Sequence, residues 1–203
     1  DEIDMEALVE KEPVTIVLSS KGWIRTMKGH IENSGDVKYK DGDSEGFLIH
    51  AMTTDKLMMF GTDGRFYTLD VASLPGGRGH GEPIRLMVDL ANAQSVAQAF
   101  LLEGERTFLV ASTAGYGFLV AEEDCVANTK KGKQVLNVSS GAEACVCRPA
   151  AGDKVAVVGD NKKLLVFPFS ELPTMARGNG ALLQKYLRGG LSDAQVFVGR
   201  QGL

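Results

Sequence analysis

Cysteine is scarce in this chain and does not pair. The three residues, Cys125, Cys145 and Cys147, are odd in number and lack paired spacing. That excludes a disulfide framework and a four-cysteine zinc site and fits a reducing compartment. Long apolar runs are missing as well. None approaches the roughly 18 residues that a membrane-spanning helix needs, and the first residues show no signal-peptide pattern, so a soluble, cytoplasmic protein is expected. Bulky aromatics are few: nine Phe, four Tyr and one Trp stand beside 24 glycines. Glycine disfavours helix interiors and punctuates hairpins, so this balance points to an all-β, turn-dense chain. At 203 residues it is long enough to bury a sizeable core.

Catalytic patterns are absent too. No Ser/His/Asp or Cys/His constellation is visible. The glycine-rich pieces contain neither the Gly-Lys-Ser/Thr of a phosphate-binding loop nor a dinucleotide fingerprint leading into a helix. His30, His50 and His80 have no companions at metal-ligand spacing and read as surface or core histidines. Trp23, Phe60, Phe66 and Phe108 sit in apolar runs and read as core. Cys145 and Cys147 read as small hydrophobes on one strand face.

Surplus positive charge is the last absence. The formal net charge of -4 argues at face value against a nucleic-acid partner. However, six of the 26 acidic residues and only one of the 22 basic ones lie in residues 1–12, so the remainder carries a formal excess of one positive charge. Residues 1–12 therefore read as an acidic linker, and residues 13–203 as the folded domain. A near-neutral body still presents a basic stripe if its cations cluster, because a phosphate responds to charges within about a Debye length, roughly 8 to 10 Å.

What the chain does contain is repetition. Asp55-Lys56-Leu57-Met58-Met59-Phe60-Gly61 recurs as Asp153-Lys154-Val155-Ala156-Val157-Val158-Gly159 at an offset of 98. Downstream, Ser73-Leu74-Pro75 is answered by Glu171-Leu172-Pro173, and Arg78-Gly79-His80-Gly81 by Arg177-Gly178-Asn179-Gly180. The segments 16–24 and 108–118 show the same strand, turn, strand pattern, and a fifth copy is read from Val196. Turn positions at Gly22, Gly64, Gly115, Lys162 and Gly202 are spaced by 42, 51, 47 and 40 residues, a propeller-type period. Two-residue hairpin turns are expected, with Lys162 departing from the glycine rule. The segment 89–100 is read as strand rather than helix, and 185–188 as a loop or edge strand. The expected architecture is a propeller-like array of four-stranded blades, about four of them, truncated in a further one that continues in a longer parent chain.

These repeats resemble the C-terminal DNA-binding domains of the A subunit of bacterial type IIA topoisomerases, most closely the topoisomerase IV branch. The resemblance is carried by Glu12 to Ser19, by Lys21-Gly22-Trp23-Ile24-Arg25 with Lys28-Gly29-His30, by Leu74-Pro75 through Arg78-Gly79-His80-Gly81-Glu82-Pro83, and by Ala114 to Phe118. It implies a β-pinwheel whose basic rim binds and bends duplex DNA for capture by the enzyme. It also implies that the catalytic tyrosine, ATP and Mg sites lie elsewhere in the parent, so no cofactor or metal is expected in this piece. The implied partners are duplex DNA, the N-terminal cleavage domain of the same chain and the B subunit, with no membrane. The sister gyrase family carries a Gln-basic-x-Gly-Gly-basic-Gly box for chiral wrapping. Here Gly76-Gly77-Arg78-Gly79 is the nearest approach, and its recurrence at Arg177 reads as a blade element.

On this reading the phosphate contacts are Lys21, Arg25 and Lys28 around the first hairpin, Lys38 and Lys40 in the following loop, and Arg65 after the second turn. The run Lys130, Lys131 and Lys133 follows, then Lys162 and Lys163 at the fourth turn, and Arg177, Lys185, Arg188 and Arg200. Taken singly, each reads as an ordinary solvated charge; the lysine run taken together reads as a contact surface. Arg78 and Arg177 have two readings, a structural arginine bonding nearby carbonyls or a phosphate contact. The alternatives to topoisomerase IV are the gyrase domain and a propeller used as a protein-interaction scaffold, which would lack a continuous basic rim.

Overall fold

The computed structural model describes residues 9–162, 164–183 and 190–199. Among these residues fifteen strands form four antiparallel sheets, and each sheet is built around a hairpin. The hairpins are β1 (Pro13–Ser19) with β2 (Trp23–Lys28), β4 (Lys56–Gly61) with β5 (Arg65–Asp70), β8 (Thr107–Ser112) with β9 (Tyr116–Ala121), and β12 (Lys154–Gly159) with β13 (Leu164–Pro168). A long strand then returns beside the first strand of each hairpin: β3 (Glu45–Met52), β7 (Val96–Leu101), β11 (Ala144–Pro149) and β15 (Leu191–Phe197). The fourth strand is short and comes from the next repeat. It is β6 (Glu82–Pro83) on β2, β10 (Lys133–Gln134) on β5 and β14 (Ala181–Leu182) on β9. Consecutive blades are thereby interlocked, and each fourth strand is laid down only after the following hairpin has been made.

In the first three hairpins the apolar runs are continuous because both faces of a blade are buried, whereas β13 leaves Leu164, Leu165 and Val166 exposed. Alternate residues serve alternate neighbours. Leu57 and Met59 pack with Ile16, Leu18 and Ile24 of the first blade, whereas Met58 and Phe60 pack with Phe108, Val110 and Phe118 of the third. Leu109 and Ala111 in turn meet Val155 and Val157 of the fourth. The return strands form the hub, where β7 packs against both β3 and β11, and β11 against β15. The short strands β6, β10 and β14 lie at the opposite edge of their sheets and so mark the periphery.

Several sequence expectations need correction. The first three hairpins have three-residue rather than two-residue loops, and the described part of the fourth turns the same way. Each is a turn in which the third loop residue donates its amide three residues back, Gly22 to Ser19, Gly64 to Gly61, Gly115 to Ser112 and Lys162 to Gly159. The residue closing such a loop sits in the left-handed region, and Lys162 takes the same place at φ 63°. Val196 and Phe197 do not begin a fifth copy; they end β15, the hub strand of the fourth blade. Of the segment 89–100, only Val96 onward is strand. A register shift in β11 between Ala144 and Val146 sends Cys145 toward the core between blades three and four, while Cys147 enters the core between two and three. The two cysteines therefore do not share a face. Phe60, Phe66 and Phe108 are core as expected, but Trp23 is only half-buried and belongs to no core cluster. Among the described residues no helix is long and apolar enough to cross a membrane.

Candidate nucleic-acid interface

The loops that feed the peripheral strands are built alike. After each Leu-Pro, the chain crosses the preceding blade's second strand, with Thr26 donating to the Pro75 carbonyl at 2.8 Å and Leu119 to the Pro173 carbonyl at 2.9 Å. Glycine then permits the entry into the peripheral strand: a Cβ on Gly81 would lie 2.0 Å from the Ile24 carbonyl oxygen, and one on Gly180 2.3 Å from that of Gly117. The Arg-Gly-x-Gly repeat is thus a blade element. Between the Leu-Pro and the closing glycine, the chain bulges outward and carries its arginine into solvent. Arg78 and Arg177 are both exposed, and neither bonds a carbonyl among the described residues, so the arrangement offers both guanidiniums to an external acceptor.

In the second blade the equivalent loop holds Lys130 and Lys131, with Lys133 in β10 itself; all three are exposed. Lys133 is registered with Phe66, and its neighbour Gln134 with Arg65. Arg65 NH1 donates to the Lys131 carbonyl at 3.1 Å, and the Lys130 carbonyl accepts the Asp89 amide at 2.8 Å. The backbone of the lysine loop is therefore pinned from both sides while its ammonium groups stay free. None of the four cations is ion-paired among the described residues. Asp63, close to Arg65 in sequence, is occupied by the Tyr67 hydroxyl at 2.6 Å and by the Arg65 amide at 3.0 Å. The outcome is four neighbouring positive charges on one peripheral corner.

The first blade presents a different surface. Its 37–43 segment folds over β2, and Arg25, 8% exposed, donates from NH2 to the Lys38 carbonyl at 2.7 Å. Arg25 is consequently a buried brace rather than an outlying charge. Lys40 Nζ sits 3.7 Å from the centre of the Trp23 ring. Lys38 is exposed, and His80 lines the same hollow as Trp23 and Lys40. Sequence reading assigned neither Trp23 nor His80 to the rim. The available signal was the position of Trp23 directly after a hairpin turn, where the strand is registered with a peripheral Pro83. Lys21, in the hairpin loop, and Lys28, at the far end of β2, are both exposed and have the length of β2 between them, roughly 20 Å at strand rise. Lys162 is exposed at a hairpin tip, whereas the tips of blades two and three, Thr62-Asp63-Gly64 and Thr113-Ala114-Gly115, carry no cation. The structure therefore gathers cations at the periphery rather than evenly at the tips. Lys163, Lys185, Arg188 and Arg200 lie outside the described residues.

An interlocked disc of four-stranded blades, with its hub lined by return strands and its edge by borrowed ones, defines the β-pinwheel class. No protein-family model matches the chain. It is 49% identical over 198 residues to the A subunit of DNA topoisomerase 4 from Caulobacter vibrioides, covering 98% of this chain and 26% of that protein. The solved C-terminal domain of Escherichia coli ParC superposes with a TM-score of 0.82 at 30% identity, over 90% of this chain and 78% of that one. A DNA gyrase A C-terminal domain shares the fold at TM-score 0.62 and 15% identity, over 90% of this chain and 64% of that one. The chain belongs to the family of C-terminal domains of the topoisomerase IV A-type chain, ParC. It spans about a quarter of the length of the curated relatives it matches.

Proposed function

We propose that this domain binds duplex DNA without sequence preference along the periphery of its blades, bending it. The observation that carries this reading is the corner formed by Arg65, Lys130, Lys131 and Lys133, whose backbone is fixed and whose charges are unpaired. Exposed Arg78 and Lys38 on one side, and Arg177 on the other, extend the positive edge to neighbouring blades. Each phosphate neutralised along such a path releases condensed counterions, which supplies affinity independent of sequence. A curved edge with cations on successive blades favours a bent duplex, since bending brings more phosphates within reach. The domain would present the bound segment to the parent enzyme, a cytoplasmic, nucleoid-acting topoisomerase that uses ATP and Mg at sites elsewhere, assembled with its cleavage domain and B subunit. Nothing in the chain reproduces the gyrase wrapping box, so bending without chiral wrapping is the expected mode.

Fluorescence anisotropy with labelled duplexes of unrelated sequence tests the reading. Similar low-salt affinity for each duplex, lost steeply as salt rises, is expected. Absence of binding at low salt would overturn it.

A further inference from the structure

Away from the peripheral loops, a cavity of about 590 Å³ opens between the tip of the first hairpin and the segment that follows β6. Its polar walls are Ser19, Ser20, Lys21, Arg85, Asn92 and Gln94, and no aspartate or glutamate lines it. Phe47, Ile84, Leu90 and Val96 give it an apolar side.

Arg85 is the unusual member. Its NH2 donates to the Gln94 carbonyl, and its NH1 lies 3.0 Å from where a Gly22 Cβ would stand, so the guanidinium rests against the bare turn. Its Nε is buried without an acceptor, and it forms no ion pair with any described carboxylate. A half-buried guanidinium left without a counter-charge is costly to the fold unless something supplies one.

The blade architecture does not require this charge. The Ile84 amide donates to the Gly22 carbonyl at 2.8 Å, and in the next blade the Leu136 amide does the same to Gly64 at 3.1 Å. The residue following that hydrophobe is Arg85 in one blade and Asn137 in the other. Lys21 adds a second cation and keeps its ammonium free of any described carboxylate. The neighbouring Asp43 is already spent on the Ser20 hydroxyl at 3.0 Å and the Lys21 amide at 3.1 Å.

We infer that this cavity is a binding site for a phosphate group. Arg85 and Lys21 provide charge, the side-chain amides of Asn92 and Gln94 provide directional hydrogen bonds, and the apolar wall receives the body of the molecule that carries the phosphate. The cavity is of the size that accommodates small organic ligands. The inference does not depend on DNA binding at the periphery.

The probe is inorganic pyrophosphate, titrated into the full chain while the Arg85 Nε–H and the Gly22 and Gln94 amides are followed by nitrogen-15 NMR. Saturable shifts confined to these groups are expected. Affinity should weaken about tenfold or more in Arg85→Gln, because hydrogen bonds to charged groups are lost, and should stay unchanged in Arg148→Gln. Shifts that do not saturate, or that are equally large in Arg85→Gln, would overturn the site. If Arg85→Gln does not fold, Lys21→Gln together with the location of the wild-type shifts decides between the same two results. Adding duplex DNA then identifies the source of the phosphate. Competition at these resonances assigns the pocket to backbone phosphate, and simultaneous binding assigns it to a free phosphorylated molecule.

Discussion

Lys162 and Glu122 show how single residues hold this fold. Lys162 is the only described non-glycine residue at positive φ, in a place where the other three hairpins use glycine. The left-handed conformation costs a residue with a Cβ about 1 to 2 kcal/mol, partly offset by the greater chain entropy that glycine would lose. Lys162→Gly should therefore raise stability by roughly 0.5 to 1 kcal/mol, read as a higher denaturant midpoint. Glu122 is fully buried and accepts from Arg106 Nε at 3.0 Å and from the amides of Glu103 and Gly104 at 2.8 and 2.9 Å. Burial alone pushes its carboxyl up. The bonds from Arg106 and the two amides outweigh burial and hold it below the usual 4.5. The group therefore contributes stability in full above that value, and the contribution is lost as pH falls through the lowered pKa. Glu122→Ala leaves Arg106, which lies over Phe100 and Phe108, with only the exposed Glu103 carboxylate at 3.3 Å as counter-charge and strips the Glu103 and Gly104 amides of their acceptor, so it should cost roughly 3 kcal/mol at neutral pH, with a flatter stability profile below pH 4.5 than wild type. Both effects are measurable in one series of denaturant melts across pH.

At the scale of elements, the crossing of the peripheral strands is the vulnerable point. Gly81 and Gly180 hold φ of 80° and 75° where a Cβ would overlap a backbone carbonyl of the preceding blade. Gly81→Ala or Gly180→Ala should cost roughly 3 kcal/mol, while Gly77→Ala, in open space at the same loop, should cost about 1 to 2 kcal/mol for its positive φ alone. Comparing their thermal midpoints separates overlap from backbone strain. These glycines also mark how far the sequence could be read. The hairpins and their period were legible because apolar runs closed by Gly22, Gly64 and Gly115 are local signals. The two-residue strands β6, β10 and β14 were not, since Glu-Pro, Lys-Gln and Ala-Leu carry no pattern of their own and acquire strand geometry only by pairing with the previous blade. The misreading of Val196 has a similar cause: hub strands and first hairpin strands are alike in composition, and only their partners differ. Among the site residues, the Lys130, Lys131, Lys133 run was visible as a charge cluster. The burial of Arg25 and the capping of Trp23 by Lys40 depend on the 37–43 segment folding back, which no local pattern announces.

For the whole molecule, the interlocked blades explain how a chain with little net charge presents a positive edge. The loops that carry Arg78, Lys130, Lys131 and Arg177 are those that pass from one blade to the periphery of the last, so their cations recur on the same side of successive blades. The formal negative balance arises in residues 1–12, which hold six acidic residues and one basic one. The central claim, that the periphery of the second blade contacts DNA phosphates, is tested most directly by the salt dependence of duplex affinity in wild type and in a Lys130→Gln, Lys131→Gln, Lys133→Gln variant that retains the wild-type melting temperature. The slope of log affinity against log salt should become shallower by up to about three in the triple variant, close to one per lost phosphate contact. A slope identical to wild type, with affinity unchanged, would contradict it.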